Sequence, residues 1–267
     1  ITGFIEPTEG EIIVDGYNMA KKPQKAKAEI GYMPEGVPLY TDLTVKEFVN
    51  YMAELKKVNK KERKQKVEKI IEQTGLKDVQ NKLTRNLSRG YKQRVSMAGA
   101  LVGEPKILIL DEPTVGLDPK QITEIRELIK ELGKTHTVIL SSHILSEVSQ
   151  ICNKVIIINK GKLVAIDTPE NLENKVSQNN SIYVTVEDTE NKLETMKDKI
   201  EDIKEIKLIK ENEDGTKQYM IEAEGNTDLR KIIFTEFAKE NITIFEMKKT
   251  DTTLEDAFMK LIEGGEK

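Results

Sequence analysis

Apolar residues change their spacing along the chain, and the changes divide it into three parts. Between Thr44 and about Arg94 they recur every three or four positions among many lysines and glutamates, which is typical of amphipathic helices. The first stripe predicts a helix with Thr44 as its N-cap and consists of Val45, Phe48, Val49, Met52 and Leu55. A second stripe predicts a helix that ends at Gly75 and consists of Val67, Ile70 and Ile71.

From Pro105 onward, short apolar runs alternate with helical stripes. The stripes predict helices over residues 122–132, closed by Gly133, and over residues 145–151. The runs predict strands at residues 107–110, 137–140 and 154–159, with a hairpin at Gly161 and two earlier strands at 11–14 and 30–33. Because such apolar strands have both faces covered, the alternation predicts a mostly parallel sheet packed between helices.

The third part begins near Ser177, at the polar segment 177–180. Its predicted order is strand, helix, strand, turn at Asp214-Gly215, strand, helix and strand, with a last helix from Leu254. The strands are expected at residues 182–186, 203–209, 218–222 and 242–247, and the helices at 192–200 and 229–240. This βαββαβ order is that of ferredoxin-like domains, so a C-terminal α+β accessory domain is predicted over residues 177–267.

Composition limits the classes of function that are open to the chain. The charged fraction is 33%, and the mean hydropathy is −0.49. The apolar runs fall far short of the ~20 residues that a membrane-spanning helix needs, so a membrane role has to go through a partner. The net charge of −4 argues against a general nucleic-acid binder, which is usually basic. The single cysteine, Cys152, permits no internal disulfide and fits a reducing cytosol.

Two adjacent carboxylates follow the strand at 107–110. Asp111 and Glu112 precede Pro113 and are expected at the carboxyl edge of the parallel sheet, where open α/β sheets bind ligands. One carboxylate can reach a Mg²⁺ ion through its water shell, while the other polarises an attacking water. The alternative is purely structural, namely a turn-forming Asp followed by a surface Glu.

A helix start is indicated at Leu87-Ser88-Arg89-Gly90-Tyr91. Ser88 is a good N-cap, Gly90 allows a backbone N–H to approach a ligand closely, and a helix N-terminus favours an anion. The helix is expected to run to about Val102. A capped core helix with no ligand would show the same local pattern.

The order of these motifs resembles that of the ABC ATPase domain. The signature segment 87–94 comes first, then the strand with Asp111-Glu112, then the D-loop Val115-Gly116-Leu117-Asp118, and then Ser141-Ser142-His143. The resemblance covers about residues 1–172. It implies an α/β, P-loop NTPase-like domain over residues 1–175, with a helical insertion at about 36–104, in front of the ferredoxin-like α+β domain.

The resemblance implies a hydrolytic site that uses ATP and Mg²⁺. Asp111 would hold the metal, Glu112 would be the catalytic base, and His143 would be catalytic as a sensor of the γ-phosphate. Glu35 stands where the family's Q-loop carries Gln, and its carboxylate would approach the metal or the nucleotide. His136 lies outside the motifs and is interpreted as an ordinary surface histidine.

The resemblance also implies nucleotide contacts from the signature segment. Ser88, Arg89 and Gly90 would face the ATP bound to a second subunit, and Asp118 would be the D-loop carboxylate that couples the two halves. The family signature is typically Leu-Ser-Gly-Gly-Gln, so Arg89 and Tyr91 are departures from it. The serine and the second glycine are retained, and phosphate contact is therefore expected to be retained as well.

A phosphate-cradling Gly-x-x-x-x-Gly-Lys-Ser/Thr loop has no match in this sequence. Gly133-Lys134-Thr135 is not such a loop, because Leu128 occupies the place of the first glycine and Gly133 is expected to end a helix. In the family, a segment like residues 2–10 follows the Walker A helix. The resemblance therefore implies that the P-loop lies immediately upstream of Ile1, that the chain is N-terminally truncated before or within the Walker A helix, and that by itself it binds ATP poorly.

Glu35, the Leu-Ser-x-Gly-Tyr variant and the C-terminal unit together resemble the ATPase subunits of type-2 ABC exporters. This resemblance implies a multi-helix membrane permease and a second ATPase subunit as partners, with ATP between the two ATPases and no nucleic acid. It also implies a location at the cytoplasmic face of the cell membrane, bound through the permease. A non-hydrolysing regulatory subunit, or a soluble member of the family, remains the alternative if the chain natively lacks a P-loop.

Overall fold

The computed structural model describes residues 1–36, 39–176, 180–187, 193–197, 200, 202–212, 214–223, 228–249 and 253–264. The chain divides into two compact units, Ile1–Ile144 and Leu145–Lys267. Most of the polar segment 177–180 lies outside the described residues. In the part of the chain that the structure describes, no helix is both long enough and apolar enough to cross a membrane.

The first unit contains five strands and five α-helices among its described residues. In chain order they are β1 (Ile13–Val14), β2 (Tyr17–Asn18), α1 (Pro23–Ala28), β3 (Ile30–Met33), α2 (Val45–Leu55), α3 (Lys60–Gln73), α4 (Arg89–Leu101), β4 (Ile107–Asp111), α5 (Pro119–Gly133) and β5 (Thr137–Ser141). The predicted strand at 11–14 is therefore shorter than expected, since its regular part begins at Ile13.

The helical insertion begins as the apolar stripe predicts. Thr44 caps α2 through a capping box, in which its hydroxyl accepts from the Glu47 N–H while the Glu47 carboxylate accepts from the Thr44 N–H. The Glu47 carboxylate accepts hydrogen bonds from the Thr44 N–H and also from the Thr44 hydroxyl, and these two bonds hold the pKa of Glu47 below its ordinary value. The expectation for Leu55 is wrong, because the helix buries Ala53 instead and leaves Leu55 57% exposed at its last turn.

The parallel sheet has the order β3-β4-β5. Leu108 and Leu110 of β4 are fully buried, and Ala100 of α4 lies directly against Gly31 of β3. The opposite face is covered near its start, where Ile30 packs with β1, β2 and α1. Further along that face Tyr32 is 45% and Ile139 40% exposed. The expectation of helices on both faces therefore holds along one face of the described sheet and only at the start of the other.

Gly31→Ala is expected to lower the stability of the first unit. An added Cβ would lie 2.2 Å from the Ala100 carbonyl oxygen and 2.7 Å from Leu108 Cδ2, so helix and strand would have to separate. Such overpacking costs about 3 kcal/mol. The matched control is Gly133→Ala, because a Cβ at Gly133 would meet no atom within 4 Å. Urea unfolding followed by circular dichroism checks this, and equal midpoints for the two variants would contradict the packing argument.

The second unit contains the remaining described elements. They are α6 (Leu145–Ile151), β6 (Val155–Asn159), β7 (Lys162–Asp167), α7 (Pro169–Val176), β8 (Asn180–Glu187), α8 (Leu193–Met196), β9 (Ile203–Glu211), β10 (Lys217–Ala223), α9 (Arg230–Lys239), β11 (Thr243–Lys249) and α10 (Leu254–Gly264). The predicted hairpin is confirmed: β6 and β7 pair antiparallel, and the loop residues Lys160 and Gly161 both have positive φ, as a two-residue turn requires.

The ferredoxin-like prediction is also confirmed. Strands β8 to β11 form one antiparallel sheet in the order β11-β8-β10-β9, with α8 and α9 in the two crossover positions. Its core includes Val184, Ile221 and Phe237, all fully buried. The helix expected over 192–200 is described only as α8, since 192, 198 and 199 lie outside the described residues. Helix α10 packs against α7, α6 and β7.

Candidate active site

The carboxyl edge of the parallel sheet gathers three of the predicted site residues. Asp111 is the last residue of β4, and in the parallel register it pairs with Ser141, the last residue of β5. Glu112 and His143 follow these two strands. Their meeting is a consequence of topology, because parallel neighbours end at one edge and their following residues leave the sheet side by side.

Ser141 holds both carboxylate residues in place. Its hydroxyl donates a hydrogen bond to Asp111 Oδ1. The backbone N–H of Glu112 is 3.2 Å from both the carbonyl oxygen and the Oγ of the same serine. The sequence places Ser141 next to a motif histidine but does not indicate this role, since the role depends on the register between β4 and β5.

Glu112 has an unusual backbone conformation. Its φ is +46°, in the left-handed region that costs a non-glycine residue roughly 1–2 kcal/mol. A turn supports it, in which the Val115 N–H donates to the Glu112 carbonyl oxygen at 3.2 Å. Local strain of this kind persists where surrounding structure enforces it and is frequent at functional sites. Here it turns the carboxylate out of the strand and towards His143.

His143 contacts the carboxylate of Glu112, with His143 Nδ1 2.9 Å from Glu112 Oε2. Because an ionised carboxylate only accepts, Nδ1 must carry the hydrogen. The Glu112 side chain is 18% exposed, whereas that of His143 is 64% exposed, so the imidazole is open to a ligand. The interpretation of His136 is confirmed, since its Nδ1 lies 2.7 Å from the Pro105 carbonyl oxygen, in a structural hydrogen bond.

The signature segment and the D-loop line one cavity. Ser88 caps α4, and Asp118 caps α5 by accepting from the Gln121 N–H at 2.9 Å. The starts of both helices therefore open onto a cavity of about 340 Å³, which Ser88, Gly90 and Asp118 help to line. Helix N-termini attract anions, but that of α5 is already capped by the Asp118 carboxylate, so a phosphate contact at the start of α4 stays a prediction.

Gly90 is a glycine for a reason that the sequence does not reveal. A Cβ at this position would lie 2.7 Å from Gln121 Cδ and 2.8 Å from Gln121 Oε1, so the start of α4 packs directly against α5. Arg89 points elsewhere: its guanidinium lies against Gly116 of the D-loop. Gln121 is thus a residue beside the signature segment that the motifs did not single out, and the D-loop glycine Gly116 has a contact that its motif does not reveal.

Glu35 comes two residues after β3, at the same edge as Asp111 and Glu112, and its side chain is exposed. In the register of the sheet, Met33 pairs with Leu110, so the chain leaves β3 and β4 at the same level. The position suits a contact with a ligand at this edge, and that contact stays a prediction. The expectation for Gly133 is confirmed, because it is the last residue of α5.

A parallel sheet with Asp-Glu and His at its carboxyl edge, beside a capped signature helix, is the arrangement that the resemblance to ABC ATP-binding subunits predicts. The family model described as "ABC transporter" matches residues 1–115. The bacitracin transport ATP-binding protein BcrA of Bacillus licheniformis is 33% identical over 99% of this chain and 83% of its own length. The chain therefore belongs to the ATP-binding subunits of ABC transporters, a family of transport-coupled ATPases.

Two further similarities agree with this membership. The linearmycin resistance ATP-binding protein LnrL of Bacillus subtilis is 34% identical to this chain. The similar region covers 70% of this chain and 60% of the length of LnrL. A solved structure of an ATP-binding subunit of an ABC transporter superposes with a TM-score of 0.58 and 29% identity. The superposition covers 66% of this chain and 74% of that one.

Proposed function

We propose that this chain is the ATP-hydrolysing subunit of a type-2 ABC exporter. The observation that carries the proposal is the contact between His143 and Glu112 beside Asp111. In that contact Glu112, the proposed base, accepts a hydrogen bond from its proposed orienting donor, and a second carboxylate lies at the same sheet edge. A non-hydrolysing subunit is not favoured, because it would have no use for a base held in this strained conformation.

The donors at the sheet edge fit Mg²⁺. Asp111, and Glu35 at the same edge, offer carboxylate oxygens, which are the ligands that Mg²⁺ prefers. Among the described residues, no group of three or more His, Cys, Asp or Glu side chains forms a complete metal cage. Mg²⁺ ordinarily binds through one or two carboxylates together with substrate phosphates and water, so the donor set agrees with that use. The metal would neutralise charge on the phosphates.

The proposed reaction is attack of water on the γ-phosphorus of ATP. The Glu112 carboxylate accepts a proton from the water while the water oxygen bonds to the γ-phosphorus. The bond between that phosphorus and the ADP oxygen breaks in line. The His143 Nδ1–H orients that carboxylate. The exposed imidazole also lies free to contact the γ-phosphate, where a positioned donor stabilises developing charge.

The signature side of the chain is proposed to serve a second subunit. Ser88 and Gly90, at the start of α4, would bind the γ-phosphate of ATP held by the facing copy, and Asp118 would lie at the same junction. ATP-binding subunits of this family work with membrane permease components. The two ATPase subunits would lie at the cytoplasmic face of the cell membrane, bound to the permease. Their closure around ATP would move the permease.

The domain organisation is part of the proposal. Residues 1–175 would form the ATPase domain, with the helical subdomain at about 36–104, and residues 177–267 the accessory domain. The antiparallel sheet β11-β8-β10-β9 with its own buried core supports the accessory domain as a distinct folding unit.

Complementation between two inactive variants tests both the hydrolysis and the facing arrangement. Within the transporter assembled with its permease, Glu112→Gln removes the base and Ser88→Arg blocks the signature segment. Each variant alone is expected to be nearly inactive. A 1:1 mixture should recover about a quarter of wild-type ATPase activity, because half of the dimers are mixed and each mixed dimer has one intact site.

The control mixture pairs Glu112→Gln with the double variant Glu112→Gln/Ser88→Arg, which leaves no intact base and should stay inactive. An active wild type without recovery in the first mixture would refute the facing arrangement. A transporter that contains the full-length wild-type subunit and has no ATPase activity would refute the proposed function itself.

A further inference from the structure

Arg89 packs its guanidinium flat against the backbone of Gly116. A Cβ added at Gly116 would lie 2.2 Å from both Arg89 Cζ and Arg89 Nη1 and 2.7 Å from Arg89 Nη2. Three atoms of one planar group can be this close to a single point only when the plane faces it. The two residues are 27 positions apart in sequence, at the starts of the signature helix and the D-loop.

Gly116 suits this contact in two ways. Its φ of +70° lies in the left-handed region, which other residues rarely adopt, and its missing side chain leaves the space that the guanidinium fills. Arg89 is the first residue of α4, directly after the Ser88 cap, so the position of its backbone is set by the helix. The contact therefore ties the D-loop to the helix.

The D-loop is in turn tied to the catalytic base. The Val115 N–H donates to the Glu112 carbonyl oxygen, and the Leu117 N–H donates to the Thr114 carbonyl oxygen, both at 3.2 Å. Gly116 lies between these bonds, and Thr114 is buried. At the far end of the loop, the cap at Asp118 leads into the contact of Gln121 with Gly90. The loop at Gly116 and the first turn of α5 at Gln121 thus both meet the start of α4.

We propose that Arg89 is a positioning residue for ATP hydrolysis: by holding Gly116, it holds the Glu112-to-Asp118 loop against the signature helix of the same subunit. The inference rests on the proposed function, in which the signature helix serves one ATP site and Glu112 the other. The contact thereby links the two sites. Arg89 was expected among the nucleotide-binding residues of the signature segment, and the test separates that role from positioning.

Arg89→Lys is the discriminating variant, because lysine keeps the charge that a phosphate ligand needs but has no planar group to stack on Gly116. Without nucleotide, we expect hydrogen exchange of the amides in residues 114–117 to rise about tenfold, because the loop opens more often. In the transporter, kcat should fall about tenfold while KM stays within about twofold, since the loss concerns the transition state. Arg85→Lys is the matched control, because Arg85 pairs only on the surface with Asp42.

Gly116→Asn provides a second line of evidence, since asparagine tolerates positive φ while its side chain displaces the guanidinium. It should reproduce both effects of Arg89→Lys, and the double variant should be no worse than either single one. A third variant, Arg89→Gly, removes the charge as well as the planar group. If it raised KM and left loop exchange unchanged, the inference would be overturned and Arg89 would be a phosphate ligand. The exchange measurement needs no ATP and therefore tests the contact separately from the reaction. If Arg89→Lys raised loop exchange while the wild-type transporter hydrolysed no ATP, the proposed function would be refuted and the contact between Arg89 and Gly116 would stand.

Discussion

Glu112→Gln is expected to reduce ATP turnover by about 10²–10⁴-fold, the range in which a positioned general base contributes. Glutamine has nearly the shape of glutamate, and its side-chain oxygen can still accept the hydrogen bond from His143 Nδ1. The backbone turn around position 112 is formed by main-chain atoms and is unaffected by the change. The variant therefore loses the ability to take a proton from water and little else.

ATP binding should consequently survive in Glu112→Gln. Phosphate release measures turnover in the assembled transporter, and a fluorescent ATP analogue measures binding in the same preparation. The matched control is Glu131→Gln, which makes the same chemical change at an exposed residue paired with Lys134 and should leave turnover unchanged. If Glu112→Gln hydrolysed ATP at a rate near that of wild type, Glu112 would not be the base.

His143→Ala is expected to lower kcat by about 10²-fold, as the loss of one positioned donor does in other active sites. The substitution removes the hydrogen bond at 2.9 Å to Glu112 Oε2 and the exposed imidazole that would meet the γ-phosphate. The effect is smaller than for Glu112 because the histidine orients the base and does not itself accept the proton of the water.

The second histidine of the chain is a control for this prediction. His136→Ala also deletes an imidazole, but one whose Nδ1 bonds the Pro105 carbonyl oxygen. We expect His136→Ala to affect stability and to leave kcat within about twofold of wild type, since it lies outside the proposed site. Steady-state kinetics on both variants decides the matter, and equal losses of kcat would argue against a special role for His143.

Local chemistry accounts for what could be read from the sequence. Thr44 and Ser88 are recognisable as caps from their residue type, Thr44 also from the apolar stripe at helical spacing that follows it, and both precede helices as expected. The run that ends at Asp111 is recognisable as a strand because it is short and continuously apolar. Leu55 shows the limit of such patterns, since it continues the apolar stripe but is exposed at the end of α2.

The order of the motifs, through the resemblance to the ABC ATPase domain, also predicts Glu112, Asp118 and His143 as site residues. Hydrophobic periodicity and turn chemistry predict the elements that flank them. The ferredoxin-like order of the second unit follows from the same kind of information, and the sheet order β11-β8-β10-β9 agrees with it.

The amino-acid sequence by itself thus determined most of the helices and strands, though not β2, α1 or α7, together with their order and the residue types at the sheet edge. Only the tertiary structure decided that Ser141 braces Asp111 and Glu112, that Gly31 makes room for α4, and that Arg89 rests on Gly116. These facts depend on strand register and on the approach of segments that are distant in the chain. Local preferences act over a few residues, whereas register and packing are set by the contacts of the whole fold.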